Sequence, residues 1–430
     1  MKNIKLSRRE LLSHSAIGGG SLSLGLLNPL GMFGSNILYG ADATSQNNHL
    51  VFIHLEGGYS ASFAAAKAFL NNPNFGGITD ASILTVGNGL AVHKSFEKFP
   101  KSVLAQMATA GILHNAAGHP AARMAGLVSD SKVGALHYLA AGMGGPSSNK
   151  LVQAGPSFAV AFNGSYNGVA VQPLTDMKTI IDALGGGEVG PYTPDRLIAA
   201  KAMAAAGIQS QDLLQGNPNS LTSMPTSYAS AIDVLNKPVQ VFDSNKMLAD
   251  YGINSTLVGK TVASQFAFAE LMIRASSNVI MIGNRGVWDN HNDPKMTTVF
   301  NKMDADIIPA LTKFFTRVYG DVDNNIAPLP EFAGKNIVTV IYGDFVREAD
   351  NSGHGSGITA TVVGPNVKQG SLDQINGSGL FASSTPNPSA FWAYLATILK
   401  APSDTVNSLV NLGGAGTAAG LQTLKGLSKI

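Results

Sequence analysis

A chain of 430 residues, 45% hydrophobic and only 13% charged, is long enough for one large core or two ordinary domains. Its 29 Lys+Arg stand against 27 Asp+Glu; residues 1–43 hold Lys2, Lys5, Arg8 and Arg9 against Glu10 and Asp42, so the remainder is charge-balanced and gives no electrostatic reason for nucleic acid or an anionic membrane as partner. No cysteine is present, which excludes thiolate metal sites and cysteine nucleophiles and leaves Asp, Glu, His and backbone oxygen to hold any metal.

The first element in chain order reads as an export signal. Ser7-Arg8-Arg9-Glu10-Leu11-Leu12 precedes a mildly apolar stretch, 16–30, that is diluted by Gly18, Gly19, Gly20 and Gly25. That stretch falls short of the roughly 20 apolar residues of a membrane span. Ala41-Asp42-Ala43 then supplies the small-x-small pattern of a signal peptidase site. The pattern predicts a removable twin-arginine signal over 1–43, with the twin-arginine translocase as partner during export. It predicts a mature chain, 44–430, that is periplasmic or secreted and has no membrane span.

Short Val/Ile/Leu/Phe runs bounded by Gly, Pro or Asn follow at 50–55, 112–115, 158–162, 279–282, 337–341 and 361–363. Runs of this kind suit buried, mostly parallel strands. Between them, 261–275, 297–318 and 388–399 carry apolar residues at three- and four-residue steps, and Pro388 suits a helix start. The alternation predicts one α/β domain with a mostly parallel central sheet and helices on both faces. The stretch 163–259 is rich in Gly, Pro, Asn and Ser and reads as an insertion or cap beside that sheet, while 377–387 and 413–420 read as surface loops.

In an open α/β sheet, ligands bind beyond the carboxyl ends of the strands, so the residues there are the candidates. The first strand delivers Glu56, Ser60 and Ser62; the 279–282 strand delivers Trp288, Asp289 and His291; the 337–341 strand delivers Asp344, Arg347 and, further on, His354. Asp289, His291, Asp344 and His354 form a candidate metal set, because carboxylate with imidazole suits zinc or manganese and carboxylate with hydroxyl suits calcium. Ser60 and Ser62 are the hydroxyls available as a nucleophile, although helix capping is the plainer role for both. Glu56, His114 and Arg347 are candidate substrate contacts. Against these stand structural readings: Asp289, His291 and His354 as turn or loop residues, and Asp344 with Arg347, Glu348 and Asp350 as a solvated ion-pair cluster. His119, ahead of Pro120, reads as a turn residue, and His93 and His137 as surface or packing histidines.

Trp288-Asp289-x-His291, then a Val-rich strand, an acidic-Phe-x-Arg step and His354-Gly355-x-Gly357 resemble the bacterial domain-of-unknown-function family 1501. The resemblance extends through 50–58, 89–93, 110–115 and 136–142, over nearly the whole mature chain. Members of that family commonly carry twin-arginine signals and are related to the alkaline phosphatase and sulfatase superfamily. The resemblance therefore implies a two-metal centre at the carboxyl edge of the sheet, a hydroxyl nucleophile near the first strand, and hydrolysis of phosphate or sulfate esters. Several positions depart from that pattern. Ser60 stands where Gly-Gly-x-Asp has its carboxylate, Arg123-Met124-Ala125 replaces Arg-Ser-His, and Ser352-Gly353-His354-Gly355 replaces Thr-Asp-His-Gly. A following His pair falls on Thr359 and Ala360, and Asp344 stands where Glu is usual. A pair of divalent ions needs several anionic ligands, which this set lacks. The expectation is a degenerate centre with at most one divalent metal, in a binding or structural role.

Overall fold

The computed structural model describes residues 48–57, 61–74, 78–116, 118–130, 132–144, 149–155, 162–183, 243–259, 261–284, 288–289, 293, 296–347, 353–372, 375–376 and 380–430. The signal pattern of 1–43 lies outside these residues.

Twelve strands occur among them: β1 Asn48–Leu55, β2 Ile83–Gly87, β3 Leu90–His93, β4 Met107–Leu113, β5 Leu151–Ala154, β6 Ser165–Tyr166, β7 Val169–Ala170, β8 Gln172–Leu174, β9 Val279–Asn284, β10 Asn336–Gly343, β11 Gly357–Val363 and β12 Gly370–Leu372. Eight of them form one sheet in the order β12-β4-β11-β10-β1-β9-β5-β8. Every neighbouring pair is parallel except the two made by β11, which runs against both β10 and β4. The protein is thus α/β with a large, mostly parallel sheet, as its apolar runs suggest. The centre of the sheet reads as continuous apolar sequence because it is covered twice. Alternate residues of β1 serve opposite faces. Val51, Ile53 and Leu55 join a core with the helices Val262–Arg274 and Ile308–Tyr319. Leu50 and Phe52 join another with the helices Pro388–Ile398 and Ala135–Gly142.

Register aligns the carboxyl edge of this sheet. Leu55 lies level with Gly343 of β10 and with Asn284 of β9, so the carboxyl ends of the three central strands finish together.

Four local differences from the sequence reading have physical causes. The apolar run 158–162 falls mostly outside the described residues, and Phe162 is in no strand; the sheet takes Leu151–Ala154 instead, a four-residue strand carrying the polar Gln153. Gln172–Leu174, within the stretch read as a cap, is the edge strand β8 paired with β5. The long helix from Thr297 holds a π turn at Met303–Ile307 ahead of Pro309, since proline has no N–H for the preceding turn and its ring crowds the carbonyl there. Residues 413–420 are not all loop: a helix, Thr417–Lys425, begins there, with Leu421 and Leu424 buried. Among the described residues no helix is long and apolar enough to cross a membrane.

Candidate metal centre

Asp344 follows β10 directly and is fully buried. Its Oδ1 lies 3.0 Å from Nε2 of His54, which projects from the end of β1. Its Oδ2 accepts from the Gly57 amide at 3.0 Å, faces His119 Nδ1 at 2.8 Å and accepts from Arg123 Nε at 2.9 Å. His119 and Arg123 share a face because they are four residues apart in the helix His119–Gly126, which starts with Pro120 in its first turn. Arg123 also reaches Glu56 Oε1 at 3.2 Å, so one guanidinium bridges carboxylates from neighbouring strand ends. Burial alone would raise the Asp344 pKa; the hydrogen bond and charge of His54, the His119 contact and Arg123 outweigh it and hold the carboxyl well below the ordinary carboxylate range.

A second carboxylate faces the same histidine. Asp289 Oδ2 lies 3.0 Å from His119 Nε2, and Oδ1 pairs with Arg347. Arg347 is buried and is bridged to His354 by backbone pairing, so this return of the chain carries both side chains to the site. The His354 ring stacks on Phe345, centroids 3.9 Å apart, and meets His119 edge-on at 4.7 Å. One ligand atom each from His119, Asp289 and His354 lie within 4.8 Å of one another. Gly57 makes this packing possible. Its φ is +99°, and a Cβ there would fall 2.9 Å from both Cβ and N of Asp289. Burial pushes the Arg347 pKa down, and Asp289 opposes that. Burial likewise lowers His114, whose Nε2 lies 2.9 Å from the Asp344 carbonyl.

The two contacts of His119 have a chemical consequence. A neutral imidazole carries one N–H, and both partners are carboxylate oxygens that only accept. With the proton on Nδ1, held by Asp344, the Nε2 lone pair faces Asp289, and a cation must lie between them. A second proton or a metal ion meets that need. The arrangement is that of a carboxylate fixing the tautomer of a metal-ligating histidine. Charge limits how many ions fit: among these five paired side chains, Glu56, Asp289 and Asp344 against Arg123 and Arg347 leave a single net negative charge. One divalent ion is compatible with that balance, and a second would lack anionic ligands.

The structure therefore brings together Asp289, Asp344, His354, Arg347, Glu56 and His114, with Asp344 Oδ2 held by Gly57, His119 and Arg123 and Oδ1 facing His54. The solvated-cluster reading does not hold for Asp344 and Arg347, which are 0% and 3% exposed. Ser60, His291, Glu348 and Asp350 lie outside the described residues. Ser62 is buried, with its hydroxyl on Met296 Sδ at 3.6 Å. Thr359 and Ala360 are buried inside β11. His93 stacks on Phe300 and His137 packs against Phe162, both structural contacts. His119 is the correction that matters, since it heads a helix and bridges both carboxylates. Its readable signal was a proline at a helix start with an arginine one turn further on. His54 carried no comparable signal, since the same strand also holds His49.

These features define an α/β protein with a partly exposed His–Asp cluster, built on the buried Asp344, at the carboxyl edge of its sheet. No protein-family model matches the chain. No curated protein matches it either. Among solved structures, it is similar to Ps i-CgsB in complex with k-i-k-neocarrahexaose at 9% identity and a TM-score of 0.31, over 88% of this chain and 77% of that one. It is also similar to the PH0037 protein from Pyrococcus horikoshii at 10% identity and a TM-score of 0.27, over 85% of this chain and 97% of that one. Likeness at this level assigns neither family nor function.

Proposed function

We propose that this chain is an exported protein of sulfatase- and phosphatase-like architecture whose metal centre is reduced to one divalent ion, held by His119, Asp289 and His354, and that it acts by binding rather than by hydrolysis. The observation that carries this reading is the pair of contacts of His119, with one nitrogen on a fully buried, proton-accepting Asp344 and the other turned toward Asp289. Two imidazoles and one carboxylate suit zinc or manganese better than calcium, which prefers an all-oxygen shell. When bound, such an ion supplies a Lewis-acidic point for an oxygen of the ligand. The surrounding residues position its ligands: Asp344 sets the His119 tautomer, Arg347 holds one oxygen of Asp289, and Phe345 fixes the His354 ring. The Ser62 hydroxyl is buried and donates to the Met296 thioether at 3.6 Å. Export is supported by the paired arginines, the weak apolar stretch and the small-x-small site of 1–43.

Metal analysis of the chain purified from its native compartment tests this. One equivalent of zinc or manganese is expected, lost in His119→Ala and Asp289→Ala. Two equivalents, or turnover of p-nitrophenyl phosphate or sulfate that disappears in the same variants, would overturn the binding role. Replacing Arg8 and Arg9 by Lys is expected to leave unprocessed precursor inside the cell.

A further inference from the structure

Beside the metal centre lies a cavity of about 870 Å³ at the carboxyl ends of β5 and β9, within the size range of small-ligand pockets. It shares a wall with that centre. Asn284 lines it, accepts from the Glu56 amide through its carbonyl at 2.7 Å, and holds Trp288 Nε1 with its side chain at 3.0 Å. The lining also includes the helix with the π turn, where Lys302 pairs with Asp306, and Lys313 further along it.

We infer that this cavity binds an uncharged, hydroxyl-rich ligand of di- or trisaccharide size. Its lining carboxylates, Asp250 and Asp306, balance its lining cations, Lys302 and Lys313, so the wall selects for neither sign of charge. Donors and acceptors are nevertheless dense. Val262 and Ala263 line the cavity from the first turn of a helix, where amides have no intrahelical partner. Across from them, Pro309 leaves one carbonyl of the preceding turn without its helical N–H. A hydroxyl both donates and accepts, so a polyol satisfies both walls together, whereas an apolar ligand would leave these groups unpaired.

The test is saturation-transfer NMR and titration calorimetry on the full chain with maltotriose, cellotriose and chitotriose. At least one is expected to bind at millimolar concentration or tighter. Ala305→Trp places a bulky ring on this wall from an exposed position and is expected to abolish the signal. Lys302→Ala with Asp306→Ala removes a partly exposed pair that contributes little to folding and is expected to weaken binding by about tenfold. His119→Ala is expected to leave sugar binding unchanged, so failure here is separable from failure of the metal reading. Silence from all three sugars, or equal binding by the Ala305→Trp variant, would refute the assignment.

Discussion

Gly57 shows how narrow the tolerance of the site is. Its left-handed backbone lets Asp289 approach to where a side chain would stand. Gly57→Ala is expected to cost about 1–3 kcal/mol through strain at that φ and to displace Asp289 from His119. Metal affinity, followed by competition with a chromogenic chelator, should fall by about tenfold or more; an unchanged affinity would mean that Asp289 does not depend on this contact. Asp289, Asp344 and His354 were legible from sequence because a short apolar run announces its own carboxyl end. His119 and His54 were not, because what each does is set by a carboxylate more than 200 residues away. Asp344 was placed by sequence among metal ligands; its burial against Gly57, His119 and Arg123 instead fits it to orient His119 in the proposed centre.

At the scale of elements, three helices meet on one buried carboxylate. Glu270 is fully buried, accepts from Tyr251 at 3.0 Å, and pairs with Arg274 at 2.8 Å and Arg317 at 2.6 Å. Arg317 extends the network to Asp250. This ties the helix Ser244–Asp250 to the two helices that cover the sheet. Glu270→Gln removes the charge that both guanidinium groups share and is expected to cost about 3–5 kcal/mol, visible as a fall in urea midpoint with the cooperative slope retained. A loss below 1 kcal/mol would show that the network is solvated in solution. The helices at 261–275 and 388–399 were legible because their apolar steps coincide with a cap or a proline, although nearly every residue of each is buried. The strand Leu151–Ala154 was not legible: four residues with a glutamine carry little pattern, and the sheet accepts them because neighbours β9 and β8 satisfy their backbone.

For the whole molecule, burial of imidazoles predicts a pH response. Burial lowers the pKa of His93, with Asp304 opposing, and lowers that of His137, with the Gly134 backbone and Asp130 opposing. A depressed folded-state value means that the unfolded chain takes up protons first, so the stability held by these two neutral rings is complete above about pH 6.5 and declines as the pH falls below it. Urea midpoints are therefore expected to drop between pH 7 and pH 5.5, by at most about 1.4 kcal/mol per histidine per pH unit, and less steeply in His137→Gln. A flat profile in wild type would contradict this.

The first described strand occupies the middle of the sheet, flanked by β9 and β10, partners that arrive some two hundred to three hundred residues later. Synthesis thus leaves β1 without its lateral neighbours until most of the polypeptide has emerged, and ring closure over so long a span makes assembly slow. A translocon that threads chains strand by strand would deliver β1 across the membrane alone, with its apolar surface bare. A carrier that accepts only finished cargo would spare it that exposure, which is the mechanical advantage that the proposed twin-arginine export would give this fold.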